Sequence, residues 1–143
     1  MNDKLHILIV NSDQSVSTPV KEFLQKSGMM VSTVRTHEEA SAYLSNSNGH
    51  SDNDKPDLIL LNQSNGTTCN GRMFLIRGLN RGVPAIGFAE SDSANNVLME
   101  AGAVTSFNCR ETIEQISRGD IGAQISFLET LQDTATQGKS AAR

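Results

Sequence analysis

The chain has 143 residues, of which 37% are hydrophobic and 20% charged, with a formal net charge of −4. That length suits one domain with a real core, and the acidic balance argues against direct nucleic-acid binding, which needs a basic face. No apolar run approaches the roughly 20 residues that cross a bilayer, so no membrane span is expected.

The N-terminal Met1-Asn2-Asp3-Lys4 leads directly into a short apolar run with no small-residue cleavage site after it. A signal peptide is therefore not expected, and the cytoplasm is the expected compartment. The run at 5–10 reads as a first strand, apolar throughout and hence buried on both faces. Thr18 with Pro19 predicts a helix start, and Val16, Val20, Phe23 and Leu24 form its apolar stripe up to Gly28. A weaker strand follows at 30–34. Thr36-His37-Glu38-Glu39 is a capping-box pattern that opens a second helix carrying Ala40, Tyr43 and Leu44. Residues 45–55 are polar and turn-rich, a long surface loop.

Residues 58–61 predict a third strand, ending at the polar Asn62. A helix over 72–79 carries Met73, Phe74, Ile76 and Leu79. A fourth strand at 83–88 precedes a helix over 93–101 that ends at Gly102. The fifth strand is expected at 103–107. Residues 111–131 then carry Ile113, Ile116, Ile121, Ile125, Leu128 and Leu131. Those residues spread over roughly half of a helix circumference, more than one buried stripe requires. Alternatively Arg118-Gly119-Asp120 splits the segment into two shorter helices. Residues 133–143 lack apolar anchors and read as a flexible tail or the start of a linker. The domain is thus expected at 1–132. Strands alternating with helices define an α/β class, with a parallel sheet covered on both faces. In such sheets ligands meet the residues just after each strand.

Those residues carry a resemblance. ILIV at 7–10, PDLILL at 56–61, Pro84-Ala85-Ile86 and Ala101-Gly102-Ala103 make the chain similar to the receiver (CheY-like) domains of bacterial two-component response regulators, over about residues 4–131. The resemblance implies a flavodoxin-like fold of five parallel strands and five helices. It also places the family's phosphorylation site. Paired Mg²⁺-binding acids fall on Asn11 and Ser12, and the phosphoaccepting aspartate on Asn62. The hydroxyl residue after the fourth strand falls on Ala89, the lysine after the fifth on Cys109, and the proline after that on Arg110. The aromatic switch residue falls on Ser106.

Every one of these departs from the active pattern, and Asp13 is the acid that is left. Phosphoryl transfer needs a carboxylate nucleophile, a charge-neutralising cation and a lysine, and an amide supplies none of these. The loop after Asn62 departs too, with Gly66 where the family has proline and Gly71 one residue late. A degenerate pseudo-receiver is therefore expected, with no catalytic residue, no metal and no cofactor. It would act through protein contacts in signal transduction or transcriptional regulation. The competing reading is a small-ligand or redox sensor that uses the vacated pocket, lined by Cys109, Asn62, Asn11 and Asp13. Against it stands the commoner role of a free cysteine as a small buried hydrophobe. Asp13 with His6 or His37 is a poor metal set. Arg72, Arg77, Arg81 and Arg110 are scattered and read as a solvated face.

The resemblance further implies a partner face on the fourth helix, fifth strand and fifth helix, here Val97, Leu98, Phe107, Ile116, Ile121, Ile125, Phe127 and Leu128. A protein partner or a second copy would dock there, as in a dimer, and an output domain could follow in a longer chain.

Overall fold

Continuous runs of branched apolar residues cannot leave either face in water, so each becomes a strand covered on both sides. A computed structural model describes residues 4–45, 55–63 and 70–141. Five strands, β1 (His6–Val10), β2 (Met30–Val34), β3 (Leu58–Leu61), β4 (Ala85–Ala89) and β5 (Thr105–Asn108), form one parallel sheet in the order β2-β1-β3-β4-β5. Every residue of β1, β3 and β4 is buried, while the outer strands β2 and β5 are only partly covered. The order is that of a flavodoxin-like doubly wound sheet.

The helices are α1 (Gln14–Lys26), α2 (His37–Ser45), α3 (Gly71–Ile76), α4 (Asp92–Ala101), α5 (Cys109–Ser117) and α6 (Ile121–Ala141). Alternate strand residues point to opposite faces, so the sheet divides the core in two. On one side Ile7, Ile9, Leu58, Leu60, Ile86 and Phe88 meet Val16, Val20 and Leu24 of α1 and Phe127 and Leu131 of α6. On the other, Leu8, Val10, Ile59 and Leu61 meet Ala40 of α2, Phe74 of α3 and Leu98 of α4.

Two expectations need correction, and one pair of alternatives is decided. First, α1 begins at Gln14 and not after Thr18. Asp13 caps it through a 2.9 Å bond from the Ser15 amide, and Pro19 ends up inside the helix. Aspartate is a stronger cap than threonine, and the proline forfeits one main-chain bond. Second, the segment from 109 onward is two helices. Gly119 adopts φ 72°, which disfavours residues with a Cβ, and the Asp120 carboxylate accepts from the Ala123 amide to start α6. Third, α6 continues through Ala141, past the boundary expected at 132, with Thr134 and Ala135 buried. Both side chains are small, so their burial leaves no large apolar residue as a sign in the sequence.

The split also re-sorts the expected partner face. Leu98 and Phe127 are core residues, 0% and 2% exposed, and Phe127 packs between Phe23, Phe88 and Phe107. Val97, Phe107, Ile116 and Leu128 are partly buried. Ile121 and Ile125 are the two that face solvent, at 68% and 50% exposure.

Truncating a fully buried phenylalanine leaves a cavity and costs about 3–5 kcal/mol, whereas an exposed surface change stays within about 0.5 kcal/mol. Phe127→Ala is accordingly expected to lower the free energy of unfolding by about 3–5 kcal/mol in urea titration, and Ile121→Ala by almost nothing. Equal effects from both variants would contradict this packing.

Candidate functional site

The strand ends converge on a cavity of about 350 Å³ lined by Asn11, Ser12, Asp13, Asn62, Ala89 and Glu90, among others. Its walls are positioned by the sheet. Asn11 follows β1, and its amide donates to the Val34 carbonyl of β2. Asn62 follows β3, and its amide reaches the Val10 carbonyl at 3.3 Å.

Asn11 is buried, and its Oδ1 accepts from the Asp13 amide at 2.9 Å, which curls the chain into the α1 start. Asp13 is then held from three directions. Its Oδ1 accepts from the Ser15 amide at 2.9 Å and the Ser15 hydroxyl at 2.6 Å, and its Oδ2 accepts from Arg110 Nη2 at 2.9 Å. The Ser15 bonds first, and the Arg110 charge after them, hold the Asp13 carboxyl below the usual carboxylate range. Arg110 also donates to Glu90 Oε1 at 3.0 Å and to Ser15 Oγ at 3.2 Å. One guanidinium therefore ties the loop after β1 to the loop after β4.

Asn62 turns its Oδ1 onto the Gln63 amide at 2.8 Å, and its carbonyl accepts from His37 Nε2 at 2.7 Å. His37 is fully buried beneath this strand end, beside Phe74. Gly71 closes the other side of the loop. Its amide donates to the Gln63 carbonyl at 2.7 Å, and a Cβ there would lie 2.5 Å from the Asn62 carbonyl oxygen. Only glycine lets α3 approach β3 this closely. The loop residues 64–69, with Gly66 and Cys69, lie outside the described residues, as do 46–54 of the earlier polar loop.

Ala89 and Asn108 are register partners at the ends of β4 and β5. Buried Asn95 of α4 locks both ends: its Oδ1 accepts from the Ala89 amide at 3.0 Å and its Nδ2 donates to the Phe107 carbonyl at 3.0 Å. Asn108 caps α5 by accepting from the Glu111 amide, and its Nδ2 donates to the Glu90 carbonyl at 3.0 Å. Ser106 sits opposite Gly87 in a second groove of about 420 Å³ between α4, β5 and α6, with no ring at the switch position.

The placement of Cys109 differs from expectation. It does not line the cavity at the strand ends. It packs fully buried with Ile9, Val16 and Phe88, and burial, with a smaller contribution from the Glu90 charge, pushes its thiol up to about 11. The first residue of α5 turns inward because the helix begins immediately after β5. Arg110, expected on a solvated face, bonds Asp13 and Glu90 at the rim of the site. Nothing in its spacing signals this, since its partners Asp13 and Glu90 are distant in sequence. His6 and His37 do not join Asp13: His6 opens β1 at the end remote from the cavity, and His37 bonds the Asn62 carbonyl.

The family's divalent cation does not fit these donors. Asn11 and Ser12 are neutral, and both oxygens of Asp13 are engaged by Ser15 and Arg110.

No protein-family model matches the sequence, and no curated protein matches it. Solved structures do. The receiver domain of a sensor histidine kinase from Pseudomonas aeruginosa, with magnesium coordinated in its active-site cleft, is 17% identical with a TM-score of 0.67, over 93% of this chain and 98% of that one. The phosphorylated cyanobacterial phytochrome response regulator RcpA is 21% identical with a TM-score of 0.62, over 87% and 96%. A CheY-like receiver domain protein from Methanospirillum hungatei is 21% identical with a TM-score of 0.60, over 86% and 98%. The chain has the fold of response-regulator receiver domains.

At pH 8 a thiol with a pKa of about 11 is ionised to only about one part in a thousand, and the thiolate is the reactive form. In a Cys69→Ser background, Cys109 is expected to react with a thiol reagent more than about a hundredfold more slowly in the native protein than in urea. Comparable rates would overturn the buried assignment.

Proposed function

We propose that this chain is a pseudo-receiver: a cytoplasmic signalling module that works by protein contact, with no phosphoryl transfer of its own. The observation that carries the proposal is the state of Asp13. Its carboxylate is spent on the α1 cap and on Arg110. A guanidinium thus provides the positive charge that a metal ion supplies in the magnesium-bound Pseudomonas domain. At the place of the phosphoacceptor, Asn62 offers an amide that is folded onto its own backbone neighbour. Among the described residues no activated nucleophile lines the cavity, and Ala89 brings no hydroxyl to a phosphoryl oxygen. The redox form of the sensor reading loses its support, because Cys109 is in the core.

Acetyl phosphate or beryllium fluoride with Mg²⁺ tests the proposal. The amide NMR spectrum of the isolated chain is expected to stay unchanged around Asn11, Asp13, Asn62 and Ala89. Specific, saturable shifts at these residues would refute phosphorylation independence.

For the contact itself we favour the side built by α4, β5 and the two last helices. Ile121 and Ile125 stand one turn apart on α6 and are its exposed apolar members. Self-association through this side predicts a sedimentation coefficient that rises with concentration, and a rise abolished by the double variant Ile121→Asp, Ile125→Asp. A wild-type chain that stays monomeric at every concentration would remove the dimer and leave a heterologous partner.

A further inference from the structure

A second cleft lies beyond Asn11, between α1 and the carboxyl end of β2. It encloses about 210 Å³ and is lined by Asn11, Thr18, Lys21, Thr33 and Arg35, among others. The chain as a whole carries a net charge of −4, yet this cleft is lined by two cations and no carboxylate. Neither the Lys21 ammonium nor the Arg35 guanidinium is paired with an acid among the described residues. Glu39, the acid near Arg35, has its Oε1 on the Arg35 backbone amide at 2.8 Å.

Three further lining residues, Asn11, Thr18 and Thr33, can donate as well. Asn11 is 5% exposed; its Oδ1 is used by the Asp13 amide, and its Nδ2 has no partner among the described residues. The hydroxyls of Thr18 and Thr33 likewise bond no described residue. A concave site with two unpaired cations, two free hydroxyls and a nearly buried amide donor is complementary to an oxyanion of more than one charge. The volume is too small for a nucleotide-sized ligand, which needs upward of about 300 Å³.

We propose that this cleft binds a small phosphoryl-bearing anion, with Lys21 and Arg35 supplying the charge and Asn11, Thr18 and Thr33 the orienting donors. The site is distinct from the receiver cavity and shares only Asn11 with it. Its occupancy would reach the Asp13–Arg110 bridge through the Asn11–Asp13 bond.

Titrations of the full chain, followed by amide NMR, distinguish the possible sources. Inorganic phosphate and glycerol phosphate are added separately, with sodium chloride at matched ionic strength as control. The expected result is saturable shifts at Asn11, Thr18, Thr33 and Arg35 at about millimolar phosphate or below. Lys21→Gln and Arg35→Gln are each expected to weaken binding about tenfold, with the shifts of the rest of the spectrum unaffected. Tighter binding of glycerol phosphate than of phosphate would identify a phosphomonoester as ligand, and the reverse order free phosphate. Shifts reproduced by chloride, shifts retained in the Lys21→Gln, Arg35→Gln double variant, or no saturable shift with either compound would overturn the proposal.

Discussion

The constraint on which the rest of this molecule depends is that a five-stranded parallel sheet must be covered on both faces. β1, β3 and β4 are buried throughout, so nearly all of their side chains go to the core and only strand ends such as Ala89 reach the cavity. Helices occupy both faces, and polar function is confined to the residues at and just after the strand ends. Asn11, Asn62, Ala89 and Asn108 are therefore brought together by the register of the sheet and not by any attraction of their own. The residues at this edge can change without disturbing the core, because the sheet and its covering helices do not depend on them.

Given that edge, the polar groups solve one another's bonding requirements. Asn95 serves both the Ala89 amide and the Phe107 carbonyl. His37 serves the Asn62 carbonyl in the same way from below. Arg110 is different in kind. Its bonds to Asp13 and Glu90 are exposed, and exposed ion pairs contribute little to stability. The consequence is geometric: two loops that an active site would hold through a metal ion and a phosphoryl group are held here by one side chain. Being solvent-exposed, that link can be broken by a competing charge without unfolding the domain.

How far the sequence carries an observer depends on the range of each interaction. Strands made of continuous apolar runs, such as 58–61, are legible because the pattern is local. So are the cap at Thr36, which does accept from the Glu39 amide, and the split at Gly119 as one of two alternatives. Phe127 was not legible as core. Periodicity within 111–131 assumes one helix axis, and the turn at Gly119 resets the phase, sending Phe127 inward and Ile121 outward. Cys109 was misplaced for a related reason: an ungapped carry-over puts it at a pocket position, but α5 starts one residue after Asn108 and rotates it into the core. Arg110, 97 residues from Asp13, could be recognised only from the fold. Thr134 and Ala135 carry no hydrophobic signal strong enough to mark the end of α6 as packed.

A pseudo-receiver of the kind proposed above would still need some free energy to move between states. A ligand or partner can shift such an equilibrium only by the difference in its affinity for the two conformations, and a full reversal from 1:99 to 99:1 takes about 5.5 kcal/mol. The fold offers a route for a smaller bias. Asn11 forms a wall of both cavities and positions the Asp13 amide, and Asp13 is one anchor of the Arg110 bridge. A charge arriving on either side of Asn11 thus acts on the same loop after β1. That loop begins α1, whose Val16, Val20 and Leu24 share a core with Phe127 of α6. From the strand ends to the outer helices the groups are in continuous contact, through the Asn11–Asp13 bond, the Asp13 cap of α1 and the core that α1 shares with α6.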